Sequence, residues 1–190
     1  MKINAIIYTS NTGYTKQYAA LLGEKTGLAV YSLKDAKTAG LFGSSVIYLG
    51  WIMAGKIKGY TQASKQFNVV AACGVGMGAT GSQIEDIRKA NILPTNLPVF
   101  TLQGGFDLKK LHGIYKLMMI FMSKVLGKKL SESKERTPEE DAMYDLLING
   151  GCCVNEKNLD AVLRWYNIHR KSCDASLLAL PYRTFVRPRH

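Results

Sequence analysis

Short apolar runs alternate with helical patterns along the first hundred or so residues. Ile3 to Tyr8 is an apolar run that breaks into polar Thr9-Ser10-Asn11-Thr12-Gly13, after which apolar positions return in a helical pattern through Ala19, Ala20, Leu21 and Leu22. This predicts strand, loop, helix. Leu28 to Leu33 predicts a second strand, Ser45 to Leu49 a third, Phe67 to Cys73 a fourth and Leu97 to Leu102 a fifth. Helical patterns fall at Thr61 to Gln66, Ser82 to Asn91 and Asn158 to His169. Short apolar strands alternating with helices belong in a parallel sheet covered on both faces. The expected fold class is therefore α/β, a doubly wound five-stranded parallel sheet.

The stretch from about 107 to 150 is too long for an ordinary connection in such a fold, and is expected to be a helical insertion. Leu111 to Gly127 carries only Lys116 and Lys124 as clear charges, and the unbroken run Leu117 to Met122 surrounds more than one helix face. A second helix is expected to start at Thr137-Pro138-Glu139-Glu140, with proline and acids in its first turn. Residues 1–170 are expected to form one domain. Residues 171–190, with Pro181, Pro188 and late arginines, are expected to be an irregular basic tail.

A chain of 190 residues suits one core, and 47% apolar with 21% charged residues excludes a disordered chain, a collagen-like chain or a disulfide scaffold. The net charge of +11 predicts an anionic partner. Nucleic acid is not expected, because the basic residues are not interleaved with aromatics as in single-strand binders. Cys73, Cys152, Cys153 and Cys173 lack the paired spacing of a zinc site, and His112 and His169 have no acid at ligand spacing, so no metal is expected. Cys152 and Cys153 are adjacent, an awkward geometry for a disulfide; reduced thiols in a cytoplasmic protein are expected. The N-terminal residues enter a strand pattern with no signal-peptide apolar region, and no run has the length of a membrane span.

The candidate chemistry lies in the loops that follow the strands. Ser10-Asn11-Thr12-Gly13-Tyr14-Thr15 places four hydroxyl side chains where the first strand hands over to the first helix. Unpaired N–H groups and the positive end of the helix dipole favour an anion there, although Ser10 or Thr12 as a simple helix cap is the competing reading. This S/T-x-T-G-x-T pattern after strand one resembles the phosphate loop of the flavodoxins, which bind flavin mononucleotide (FMN). The resemblance extends to Gly50-Trp51-Ile52-Met53-Ala54-Gly55-Lys56-Ile57, similar to the loop that lines one side of the flavin ring. It also extends to Cys73-Gly74-Val75-Gly76, in the place of the loop that meets the flavin pyrimidine. It implies the strand order 2-1-3-4-5 and FMN as cofactor, bound by Ser10, Asn11, Thr12, Gly13, Tyr14, Thr15, Trp51, Ile52, Met53, Gly55, Cys73, Gly74, Val75 and Gly76. Trp51 is the residue to stack on the ring. In such a sheet all three loops lie outside the carboxyl ends of the strands. Gln103-Gly104-Gly105-Phe106 at the end of strand five is a further candidate to shape the pocket.

Gly76-Met77-Gly78-Ala79-Thr80-Gly81 also satisfies G-x-G-x-x-G. A dinucleotide site is not expected from it, because it follows the fourth strand and no acid ends the next one.

Flavodoxins that carry electrons are strongly acidic around the flavin, whereas this chain is basic. A long, basic, Met-rich insertion after strand five resembles instead the flavodoxin-like, quinone-dependent protoporphyrinogen oxidases, through His112 to Lys124. The likeness spans residues 3–170. It implies an FMN-dependent oxidoreductase acting on a small anionic or hydrophobic substrate. Leu111 to Leu126, flanked by lysines, is then expected to touch the inner membrane face or a second copy of the chain. A one-electron carrier for a redox partner and a flavin-less basic binding module stay open beside it.

Overall fold

A computed structural model describes residues 2–107, 113–132 and 137–178. Five strands, β1 (Ala5–Thr9), β2 (Ala29–Ser32), β3 (Ser45–Met53), β5 (Asn68–Gly76) and β6 (Val99–Gln103), form a parallel sheet in the order β2-β1-β3-β5-β6. A short β4 (Lys56–Ile57) folds back antiparallel on β3. Helices α1 (Tyr14–Thr26), α2 (Tyr60–Gln66) and α3 (Ile84–Asn91) connect the strands. Chain direction across the sheet reverses at β1, which pairs with β2 on one side and β3 on the other.

Alternate residues of each strand enter two separate cores. Ala5, Ile7, Val46, Tyr48 and Ala72 pack under Tyr60 and Ala63 of α2 and Ile87 of α3. Ile6, Ile47, Leu49, Ala71, Cys73 and Val75 pack under α1, through Tyr14, Tyr18 and Leu22, and under α6 (Asp160–Leu178), through Val162 and Tyr166. Burial on both faces is why the strands read as continuous apolar runs.

Beyond β6 the chain leaves the main sheet. Gly105 and Phe106 form β7, which pairs antiparallel with β8 (Gly151–Cys152). Between them come α4 (Gly113–Glu132) and α5 (Pro138–Asn149), which pack on each other. Thr137 and Glu140 form a reciprocal capping box at the start of α5, with Pro138 in its first turn. Leu146 and Leu147 of α5 bury Phe106, and Met77 packs against the same cluster.

Two strands outrun their expected ends. β3 continues through Trp51, Ile52 and Met53 because β4 gives it a partner, with Ile52 opposite Ile57 across a two-residue turn. Ala54 (φ 48°) and Gly55 (φ 74°) both take the left-handed conformation that tight hairpins require. β5 continues through Gly76 because Gly74, Val75 and Gly76 pair with Thr101, Leu102 and Gln103 of β6. The region after position 170 also differs from expectation: α6 is helical to Leu178, and the expected tail beyond it lies outside the described residues. So do Leu111 and His112 of the apolar segment. Among the described residues no helix is long and apolar enough to cross a membrane.

Candidate functional site

The loop after β1 is shaped by its glycine. Gly13 sits at φ 93°, a conformation that L side chains rarely adopt, and its N–H donates to Ser10 Oγ at 3.2 Å. The first bonded amide of α1 that returns to this loop is that of Gln17, which donates to the Gly13 carbonyl at 3.0 Å. Among the described residues, the N–H groups of Thr12, Thr15 and Lys16 have no protein acceptor. No side chain caps α1. The capping reading of Ser10 and Thr12 is therefore not what the geometry shows, and the donors are left directed out of the helix end.

A cleft of about 80 Å³ opens beside this loop at the carboxyl ends of the strands. It is lined by Asn11 and Thr12 of the β1–α1 loop, by Tyr14 and Thr15 of α1, by Trp51 and Ile52 of β3, and by Val75 and Gly76 of β5; Met77 and Gly104 to Asp107 complete it. It is smaller than the ~300 Å³ or more of an enclosing ligand pocket, so a planar ring would lie across it rather than sink into it. Thr15 is only 1% exposed, yet its hydroxyl has no hydrogen-bond partner among the described residues. Trp51 is half-buried, with Lys58 Nζ 5.9 Å from its ring centre.

The frame of this cleft is hydrogen-bonded from beneath. The Tyr18 hydroxyl donates to the Gln103 carbonyl at 2.5 Å and accepts from Asn158 Nδ2 at 2.6 Å, tying α1 to the end of β6 and the approach to α6. Burial raises the pKa of that phenol and keeps it protonated. Tyr14 donates to the Gly151 carbonyl at 3.1 Å, and a Cβ on Gly105 would come within 2.9 Å of the Tyr14 ring. On the opposite side, Tyr48 Oη lies 2.7 Å from the Lys58 carbonyl and 2.8 Å from Thr9 Oγ1. The carbonyl can only accept, so Tyr48 donates to it and Thr9 donates to Tyr48. Burial holds the Tyr48 phenol well above its ordinary range.

The fourteen expected cofactor residues divide. Asn11, Thr12, Tyr14, Thr15, Trp51, Ile52, Val75 and Gly76 share the cleft. Ser10 and Gly13 face a second, larger cleft on the β2 side of the same loop, which also reaches Asn11. Met53 and Gly55 belong to the hairpin turn and line neither cleft. Cys73 and Gly74 lie in the body of β5, both buried, because that strand runs on to Gly76. Gly74 makes room for a side chain of the protein: a Cβ there would meet Ile52 Cδ1 at 2.9 Å. Burial pushes the Cys73 thiol up to about 12.

Met77, Gly104, Gly105, Phe106 and Asp107 are on the cleft although they carry no motif of the first three loops. Of these, Gly104 to Phe106 were visible as a glycine pair closing strand five. The G-x-G-x-x-G segment is pinned to β6: Gly81 N–H donates to the Thr101 carbonyl at 3.1 Å, and Thr80 Oγ1 accepts from Gln103 N–H at 3.0 Å. Among the described residues no cluster of three or more His, Cys, Asp or Glu could hold a metal ion. No protein-family model matches the chain, and no curated protein sequence matches it either.

Proposed function

We propose that the chain binds FMN noncovalently and serves as a redox protein. The observation that carries this reading is the convergence of unbonded loop amides, a nearly buried threonine hydroxyl and a half-buried tryptophan on one cleft, where the chain direction of the sheet reverses. The order β2-β1-β3-β5-β6 supports the flavodoxin-like reading of the fold. In it, the Thr12, Thr15 and Lys16 N–H groups and the Thr12 and Thr15 hydroxyls hold the phosphate, Trp51 faces the ring, and Gly76 lets the backbone come close. FMN supplies the electron transfer; the protein supplies its orientation and surroundings. Tyr14 and Asp107 are the ionisable groups on the cleft, and Tyr14 is committed to Gly151.

Within this reading the protein is an oxidoreductase of the protoporphyrinogen-oxidase-like branch rather than an electron carrier. Two observations favour it. Phe106 and Met77 line the cleft and also pack with α5, so the α4–α5 pair adjoins the flavin position. On α4, Leu117, Phe121 and Val125 are 69%, 68% and 51% exposed at a spacing of four, with Lys116, Lys124 and Lys128 exposed on the same helix. An apolar stripe with cationic neighbours suits an anionic lipid surface, or a substrate apolar in its body and anionic at its edge. The test is anaerobic incubation of the FMN-loaded protein with protoporphyrinogen and menaquinone, followed by porphyrin fluorescence. Porphyrin above the no-protein control supports the oxidase. A flavin that cycles with a chemical reductant while no porphyrin forms returns the protein to the carrier reading.

A further inference from the structure

The larger cleft beside the phosphate loop has a volume of about 540 Å³, and none of the expected flavin-ring residues lines it. Ser10, Asn11 and Gly13 form its wall on one side, and Ser32 at the end of β2 with Leu33, Lys34 and Lys37 after it form the other. Lys16 of α1 and Gln62 of α2 also face it. Among the described residues, none of Lys16, Lys34 and Lys37 lies within ion-pair distance of a carboxylate. The nearest acid in sequence, Asp35, accepts from the Ser32 hydroxyl at 2.6 Å. Three cations therefore stand against one engaged carboxylate.

We propose that this cleft is a second ligand site, for a phosphorylated nucleoside. The volume falls within the ~300–1,000 Å³ of small-molecule sites and exceeds what a bare anion fills. Tyr8 and Leu33 give it apolar wall, and the Asn11 and Gln62 amides offer donors and acceptors to a base or ribose. Lysines recognise phosphate as compact point charges, and three of them without carboxylate partners call for a multiply charged group. The site stands whether or not flavin occupies the neighbouring cleft. Two sources share this chemistry: a free mononucleotide, or the adenylate half of a dinucleotide whose other phosphate lies on the Ser10–Thr15 loop.

The probe is AMP, titrated calorimetrically into the protein with and without FMN. AMP binds in both states, more weakly as salt rises, and the Lys34→Gln/Lys37→Gln double variant loses about tenfold or more in AMP affinity while its FMN affinity is unchanged. FAD binding about tenfold tighter than FMN, with the gain abolished in the double variant, assigns the cleft to the adenylate half of a dinucleotide. Equal affinities for FAD and FMN, with AMP bound alongside FMN, assign it to a free mononucleotide. No AMP binding in either state overturns the proposal, as does displacement of AMP by FMN. Orthophosphate binding as tightly as AMP also overturns it, since the nucleoside would then contribute nothing. Because both lysines are exposed, an unchanged thermal melt is expected for the variant; Gln62→Ala, which should weaken AMP but not orthophosphate, provides an independent check.

Discussion

Thr15 shows how one side chain can belong to a site and to a core together. It is nearly buried beneath the loop, but its hydroxyl, which bonds no described residue, still opens onto the cleft. A phosphate oxygen would supply that partner, so Thr15→Val should weaken FMN about tenfold or more while leaving the thermal melt unchanged or raised. Thr12→Ala should weaken FMN by a similar factor; unchanged affinities on FMN titration would remove the loop from the site. Cys73 carries a different prediction. Its thiol is raised from an ordinary 9.0 to about 12 by burial, so between those values the folded state holds a proton that the unfolded chain has lost. Its contribution to stability is therefore full below about pH 9 and falls as pH rises towards 12. Urea midpoints should drop over this range, less steeply in Cys73→Ala. A thiol reagent should label exposed Cys152 long before Cys73. The hydroxyl cluster was legible because its residues are neighbours in sequence. The burial of Cys73 was not, because the end of β5 depends on pairing with β6, which no local pattern reports.

The strands and helices that frame the cleft were mostly legible, since each long apolar run has a sheet on both faces to explain it. The small pieces were not. β4 and β7 are two residues each, and β7 exists only because Gly151 and Cys152 return across nearly the whole α4–α5 excursion to pair with it. The Tyr18–Asn158 bond is equally long-range, and it carries the largest predicted effect among these elements. Tyr18→Phe would leave the Gln103 carbonyl and Asn158 amide short of a partner below the cleft, costing about 1–3 kcal/mol in chemical denaturation. On α4 the expectation is for surface chemistry rather than stability. Replacing Leu117 and Phe121 with Ser should abolish sedimentation with anionic vesicles without lowering the melt, because both side chains are already exposed. Loss of self-association in place of vesicle binding would make the stripe a dimer face.

The whole molecule joins two assets that the sequence presents far apart: a sheet whose strand ends gather loops from residues 11–15, 51–52, 75–77 and 104–107, and a net charge of +11. The first provides a place for a flat phosphorylated cofactor, and the second attracts anionic partners to the surface around it. What the sequence could not reveal is the second cleft, which exists because the segment after β2 curls back towards Ser10 and Gly13. The most direct measurement is titration of the cofactor-free protein with FMN, followed by flavin fluorescence and visible circular dichroism. One FMN per chain, with an induced flavin dichroism that is weakened in Trp51→Ala and a tenfold or greater loss of affinity in Thr12→Ala, roughly what one charge-assisted hydrogen bond contributes, is the predicted result. A flavin signal that stays that of free FMN at all protein concentrations would contradict it.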